Sequence, residues 1–254
     1  MEWRLGARAL DGSEVHRSAM VSVAIGIIII LGCAGGLAYA CIIPSSRVFS
    51  PVVNRGPGES RNVVLTFDDG PAPPFTEQIL DILAEHGISA TFFLCGKNVE
   101  RHPEIARRIV REGHTIGNHT YSHPFLFARS RRFMAGEIDR AQEAIERITG
   151  VRPTLFRPPY GARWFGLMPV LRERGLKMVM WSVMGFDWKY RTEAIIRAVK
   201  NRLHSGAVIL LHDGHEHPPS AGIDQSATVA ALPAIIESAT QAGLTFAAIN
   251  RFMA

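Results

Sequence analysis

Cysteine is scarce in this chain: it accounts for three of 254 residues. Cys33 and Cys41 lie in one apolar segment, and Cys95 stands alone further along. This number and spacing predict no disulfide framework, although an extracytoplasmic location remains compatible with that absence. A hydrophobic content of 47% and a charged content of 20% are typical of a folded protein with a substantial core.

A concentrated block of positive charge is also lacking. The net charge of +5 comes from 28 basic and 23 acidic residues, and the basic ones are scattered. Their densest cluster, Arg-Ser-Arg-Arg at 129–132, is typical of a solvated surface loop. We therefore expect no nucleic acid among the partners.

The segment 20–43 contains no charged residue. At ~1.5 Å per residue, a helix of this length extends about 36 Å, which is enough to cross the ~30 Å hydrocarbon core of a membrane. A buried core helix would show a polar stripe, whereas only Ser22 interrupts this run. The sequence therefore predicts a transmembrane segment at 20–43 after a short tail at 1–19.

Whether this segment is retained depends on two local patterns. The residues 38–40 fit a small-residue cleavage site, and 30–33 loosely resemble a lipoprotein site. The apolar run is longer than a usual signal core, which favours an uncleaved signal anchor. Charge bias does not fix the orientation. We expect a membrane-anchored protein whose folded domain is extracytoplasmic, in the cell envelope, with a secreted form if the segment is cleaved.

No Gly-x-Gly-x-x-Gly phosphate loop follows the first strand-like run, which weakens a nucleotide-binding interpretation. The stretch 44–60 is rich in Pro, Ser, Gly and Arg and is predicted to be a linker. From 61 to 254, strand-like runs alternate with helical stretches. The strands are expected near 62–67, 90–94, 114–117, 154–156, 176–181, 207–211 and 245–249, and the helices near 75–86, 103–112, 136–149, 164–174, 193–203 and 226–241. This order predicts an α/β domain with a mostly parallel sheet, as a (β/α) barrel or an open doubly wound sheet.

Polar residues collect where these strands end. Asp68 and Asp69 follow the first strand, and two adjacent carboxylates favour a cation between them, although a solvated turn is the alternative. His119 and His123 follow the third strand. They can converge on one point only if the chain between them makes a helical turn, and together with one carboxylate they would form a three-ligand metal site with an open position.

Three further strand ends carry unusual residues. Arg157-Pro-Pro-Tyr160-Gly is a rigid turn after the fourth strand, an Asp187-Trp188 pair follows the fifth, and the sixth ends in Leu210-Leu-His212-Asp213. Taken singly, these fit a structural proline turn, an aromatic core edge and a buried core histidine. Their common location at one edge of the sheet favours a functional site.

In this order, the five stretches resemble the NodB-homology polysaccharide deacetylases, the fourth carbohydrate esterase family. The resemblance covers about 61–254 and implies a distorted (β/α) barrel with seven strands. It implies metal ligation by Asp69, His119 and His123, with Zn²⁺ as the expected ion and Co²⁺ or another transition metal as alternatives. The remaining implied roles are a general base for Asp68, a base-steadying role for Arg157, an oxyanion-binding N–H for Tyr160, an acetyl pocket for Trp188 and Leu210, and a general acid for His212.

The implied reaction is hydrolysis of an N-acetyl group on N-acetylglucosamine-type units of a glycan, with metal-activated water as nucleophile and release of acetate. One position departs from the family pattern, because Met184 stands where the family carries an Asp that partners the acid histidine. We therefore expect His212 to titrate at lower pH than in relatives, unless Asp187 or Asp213 supplies the charge. The alternatives are a deformylase or O-acetyl esterase acting on a cell-envelope or lipid-linked sugar, and a non-catalytic sugar-binding relative.

Overall fold

The computed structural model describes residues 12–48, 52–214 and 224–253. Most of the predicted N-terminal tail therefore lies outside the described residues. The helices are α1 (Gly12–Ile42), α2 (Phe75–Glu85), α3 (Gly96–Arg101), α4 (Pro103–Arg111), α5 (Arg131–Thr149), α6 (Leu167–Glu173), α7 (Thr192–Lys200) and α8 (Ser226–Gln241). Short 3-10 helices span Pro159–Gly161 and Ile249–Phe252. The strands are β1 (Asn62–Asp68), β2 (Thr91–Leu94), β3 (Thr115–Asn118), β4 (Leu155–Phe156), β5 (Lys177–Met178), β6 (Val183–Met184), β7 (Val208–His212) and β8 (Thr245–Phe246).

The strands form one sheet in the order β5-β4-β3-β2-β1-β7-β6, and β8 pairs with the beginning of β1. All the strand pairs in it are parallel. The predicted barrel of about seven parallel strands is confirmed as a half-barrel whose main path has seven strands, with β8 as a further strand beside β1. The run expected as one strand at 176–181 contains only the short β5. The chain then crosses from this edge of the sheet to the other, where Val183–Met184 form β6, a strand that was not predicted.

The first strand is buried along almost its whole length, as expected for a parallel strand covered on both faces. Its side chains alternate in direction. Val63, Leu65 and Phe67 belong to the core cluster that also contains residues of α2, α4, α7 and α8, whereas Val64 belongs to a second cluster built from β4, α6 and the segment after β5. Asp68 shares the parity of Val64, so the strand directs this carboxylate into the half-barrel.

Part of the range predicted as a linker is built into the domain. The backbone N–H of Val53 donates to the carbonyl of Met178 at 3.0 Å, and its carbonyl accepts from Met180 at 2.8 Å. Arg55 forms an antiparallel bridge with Ala207. The residues after 51 therefore tie the β5 edge of the half-barrel to the start of β7.

The N-terminal helix contains the apolar segment Ala19–Ile42, which has a mean hydropathy of 2.5 over its most apolar part and none of that part buried. At its C-terminal end, Ala40 and Cys41 are buried against the rest of the chain. It is long and apolar enough to cross a membrane or to act as a signal sequence.

Candidate active site

The turn after β1 directs two adjacent carboxylates towards one cavity. Asp69 adopts a φ of 78°, and its carbonyl accepts a hydrogen bond from the side-chain amide of Asn98 at 2.7 Å. The carboxylate of Asp213 accepts from the N–H of Gly70 at 3.1 Å and from the hydroxyl of Thr76 at 2.7 Å. A Cβ on Gly70 would lie 2.0 Å from Asp213 Oδ2, so only glycine fits there. Asp213 therefore holds the turn in place.

Asp69, His119 and His123 form a buried cluster whose candidate ligand atoms lie within 4.8 Å of one another. Oδ1 of Asp69 lies 3.2 Å from Nε2 of His119 and 3.1 Å from Nε2 of His123. Burial favours the neutral carboxyl, but His123 and His119 outweigh it and hold the pKa of Asp69 well below its usual range. Asp69 is therefore an ionised carboxylate.

These three residues fit a divalent cation. Nδ1 of His119 donates to the carbonyl of Arg157 at 2.7 Å, so in the neutral imidazole Nε2 carries a lone pair. That lone pair faces Oδ1 of Asp69, which is buried and has no other hydrogen-bond partner among the described residues. Two acceptors at this distance repel each other and favour a cation between them, and one carboxylate with two imidazoles is a ligand set suited to Zn²⁺.

The two histidines converge through a different turn from the one expected. Thr120 and His123 have φ values of 68° and 57°, and no helix spans the chain between the histidines. The side chain of Asn118 accepts from the N–H of Thr120 at 2.8 Å, and the hydroxyl of Thr120 accepts from the N–H of His123 at 3.1 Å. The prediction of a helical turn was wrong, because side-chain hydrogen bonds stabilise a tighter left-handed turn instead.

Asp68 is anchored by a fully buried arginine. One terminal nitrogen of Arg157 donates to Asp68 Oδ1 at 2.6 Å and to the hydroxyl of Thr66 at 2.8 Å. The other two donor positions reach the carbonyls of Val179 and Met180, both at 3.2 Å. Burial lowers the pKa of Arg157, and the negative charge of Asp68 opposes that effect.

The second oxygen of Asp68 faces the histidine cluster, 3.7 Å from Nε2 of His119. This geometry leaves one oxygen of the carboxylate fixed and the other available to the cavity. The part played by Thr66 was not predicted. A usable signal was present in the sequence, because a residue two positions before Asp68 on a strand points to the same side.

His212 has a carboxylate partner, contrary to the expectation based on Met184. Nδ1 of His212 donates to Asp187 Oδ1 at 2.8 Å, and its backbone N–H donates to Asp187 Oδ2 at 2.7 Å. The hydroxyl of Thr228 also donates to Asp187 Oδ2, at 2.9 Å. Burial would lower the pKa of His212, but Asp187, helped by Asp69 and Asp68, raises it to about 10. Of the two candidate substitutes, Asp187 therefore supplies the charge, and Asp213 does not because it is bound to Gly70 and Thr76.

One cavity of about 370 Å³ brings most of the predicted residues together. The predicted residues that line it are Asp68, Asp69, His119, His123, Tyr160, Trp188, Leu210 and His212. Behind its wall lie the other three, Arg157, Asp187 and Asp213, each at most 6% exposed. The sequence had not placed Trp181 and Met184 in the lining, although the aromatic residues after the fifth predicted strand were a signal for Trp181.

Within this cavity, the two histidines of the candidate metal site and His212, the candidate general acid, lie on opposite sides of β1. Asp68 is in register with His212 of the neighbouring β7, whereas β3, which precedes His119, lies on the other side beyond β2. Tyr160 has a φ of 57°, and its ring lies 4.7 Å from that of His123. Trp188 packs edge-on against His212, with 5.2 Å between the ring centroids. The arrangement can hold a cation, a fixed carboxylate and a protonated imidazole around one small group.

Comparison with known proteins identifies the family of this chain. The polysaccharide deacetylase family model matches residues 55–179. A chitooligosaccharide deacetylase from Sinorhizobium fredii is 41% identical over 182 residues, which cover 69% of this chain and 84% of the relative. The chain belongs to the polysaccharide deacetylase family, and the resemblance found in the sequence is confirmed.

Two further comparisons bear on the finer class. A peptidoglycan-N-acetylglucosamine deacetylase from Bacillus cereus is 42% identical over 158 residues, which cover 62% of this chain but only 58% of the relative's length. The solved structure of a peptidoglycan N-acetylglucosamine deacetylase with a bound benzamide compound superposes with a TM-score of 0.73 at 37% identity, covering 78% of this chain and 91% of that one.

Proposed function

We propose that this chain is a metal-dependent hydrolase that removes N-acetyl groups from N-acetylglucosamine-type units of a poly- or oligosaccharide and releases acetate. The observation that carries the proposal is the sharing of one cavity by a cation-binding cluster, an anchored carboxylate and an imidazole with a raised pKa. The relatives named for peptidoglycan and chitooligosaccharide deacetylation support the substrate class.

Asp69, His119 and His123 would hold a divalent cation, with Zn²⁺ as the first expectation and Co²⁺ as an alternative. Such a cation supplies Lewis acidity, which polarises an amide carbonyl and lowers the pKa of water. Asp68 accepts the proton of the attacking water through its cavity-facing oxygen. Arg157 keeps that carboxylate in position and compensates its charge, so the base is oriented before the substrate arrives.

His212 serves as the general acid. An amine leaves an amide readily only if it is protonated, and an imidazolium with a raised pKa carries that proton at neutral pH. Asp187 holds the ring through Nδ1, so Nε2 is the atom that delivers the proton. Tyr160 would offer its backbone N–H to the oxyanion, and Trp188 and Leu210 would bound the acetyl pocket.

The N-terminal helix is proposed as a retained membrane anchor, which would hold the catalytic domain on the extracytoplasmic side in the cell envelope. The length of its apolar segment and the exposure of that segment up to Tyr39 support this role.

The test is acetate release by the full-length protein in detergent, measured on chitooligosaccharides and on peptidoglycan, with N-formyl and O-acetyl sugars in parallel. Acetate release from N-acetyl substrates that ceases in the Asp68→Asn variant would support the proposal. A strong preference for formyl or O-acetyl groups would replace it with the corresponding hydrolase. Sugar binding without any turnover by the metal-loaded protein would make the chain a binding relative.

A further inference from the structure

Four aromatic residues form an exposed surface beside the cavity: Phe125, Phe127, Trp164 and Phe165, here called the aromatic patch. The side chains of Phe165, Phe125 and Phe127 are 58%, 48% and 36% exposed. The rings contact one another in sequence, with centroid distances of 6.0, 4.3 and 5.0 Å. A contiguous apolar surface of this kind marks an interaction site.

This patch adjoins the end of the apolar helix. The backbone N–H of Arg163 donates to the carbonyl of Cys41 at 2.9 Å. Its guanidinium donates to the carbonyl of Ser46 at 2.7 Å and also to that of Ile43. Arg163 is only 2% exposed, and it supplies donors where a helix end leaves carbonyls unpaired. The aromatic patch therefore begins one residue from the point where the candidate membrane span ends.

Positive charge borders the same surface. Arg129, Arg131 and Arg132 are exposed, and Arg131 lies beside Gly166 and forms an ion pair with Glu173. Arg131 and Arg132 open α5, where the helix dipole already presents positive charge. Positive charge at a helix N-terminus is unfavourable, and Glu173 compensates only Arg131, so an anionic partner would stabilise this end of α5.

We propose that the aromatic patch and its bordering arginines dock on an anionic phospholipid surface around the exit of α1. Trp is enriched at the membrane–water interface, and Phe and Trp are typical of the membrane-facing side of interfacial segments. Basic residues near anionic lipids each strengthen binding about fivefold. The proposal rests on the membrane-anchor role proposed above for α1. A protein partner is disfavoured because the patch continues directly into the end of the span.

Docking would place the active site at the lipid surface. Tyr160 lines the cavity and precedes Arg163 by three residues, which limits their separation to about 11 Å. Its ring also lies 5.7 Å from that of Phe125. The cavity mouth would therefore meet N-acetylated sugars held close to the bilayer, such as those carried on a lipid.

The test uses the full chain in lipid nanodiscs containing phosphatidylglycerol, with a benzophenone amino acid replacing Phe165 or, as the control, Glu85. Glu85 is exposed and ends α2 shortly before β2 begins. It therefore lies near the N-terminal ends of the strands, whereas the cavity and the aromatic patch lie at their C-terminal ends. After irradiation, we expect phospholipid adducts at 165 and none at 85. A label replacing Phe127 gives a second reading if the change at 165 prevents folding.

A second pair of variants tests whether the arginines that border the aromatic patch contribute to binding of anionic lipid. The double variant Arg129→Gln, Arg132→Gln should lower adduct yield several-fold in anionic discs and leave it unchanged in phosphatidylcholine discs. Lys200→Gln with Arg101→Gln removes the same charge elsewhere and should change neither. Equal adduct formation at the labelled and control positions would overturn the docking proposal, as would failure of the chain to enter nanodiscs. Adducts at 165 without acetate release would leave docking intact and refute the deacetylase proposal instead.

Discussion

The carboxylate of Asp187 should control the pH range over which the enzyme works. It contacts His212 twice, at Nδ1 and at the backbone N–H, and it is the largest of the influences that raise the pKa of that histidine towards about 10. In Asp187→Asn the charge is lost while burial of the imidazole remains. The pKa of His212 should then fall.

The expected size of this change follows from the geometry. A close opposite charge shifts a pKa by about 1–3 units, which corresponds to about 1.4–4 kcal/mol. Because kcat reports groups in the substrate complex, its alkaline limb should move down by a similar number of pH units. The direction of this shift follows from the raised pKa. Wild-type His212 keeps its proton until the pH reaches its folded-state pKa, and in Asp187→Asn the imidazole loses its proton at lower pH.

The assay is kcat for acetate release against pH for wild type, Asp187→Asn and the control Asp139→Asn, whose carboxylate pairs with Arg174 at the surface. Only Asp187→Asn should shift the alkaline limb of the kcat profile to lower pH. An alkaline limb that stays in place in an active Asp187→Asn enzyme would refute the assignment of Asp187 as the partner of the acid.

Three further predictions concern other parts of the site and the chain. Met184→Leu should leave the alkaline limb of kcat unmoved, since this side chain lines the cavity without partnering the acid; a downward shift would contradict that view. Gly70→Ala should lower the thermal midpoint by an amount equivalent to roughly 1–3 kcal/mol or more, because its Cβ would lie 2.0 Å from Asp213, and an unchanged midpoint would show that the turn adapts. A chain beginning at Pro44 should deacetylate soluble oligosaccharides, whereas one beginning at Arg55 should melt lower because it lacks the backbone hydrogen bonds to β5 and the segment after it; equal midpoints would contradict this.

Much of this fold follows from local patterns in the sequence. Alternating apolar runs and helix-terminating glycines predict a parallel sheet, and polar residues at the strand ends locate the site at one edge. The crossing from β5 to β6 and the existence of β6 itself could not be predicted from local sequence, since they depend on which edge of the sheet the chain joins after residue 181.

In the active site too, some features could be predicted from nearby residues in the sequence, whereas others depend on contacts that form only in the folded chain. Residue types and spacing indicate a possible cluster of His119, His123 and one carboxylate, and the family resemblance implies that this carboxylate is Asp69. The left-handed turn between the histidines was not predictable, because it depends on a hydrogen bond that the side chain of Asn118 accepts. The partner of His212 could not be fixed from spacing alone, because Asp187 and Met184 are three residues apart and only the bend between them decides which one reaches the ring.

The separate roles of Asp68 and Asp69 are the central claim. Metal content and kcat should be measured together for purified Asp68→Asn and Asp69→Asn, beside wild type. Asp68→Asn should retain bound metal and lose about 10²–10⁴-fold in kcat, the usual contribution of a general base. Asp69→Asn should lose metal first, since its Oδ1 faces both imidazoles of the cluster. Equal metal loss in both variants, or full turnover by a metal-free protein, would contradict the account.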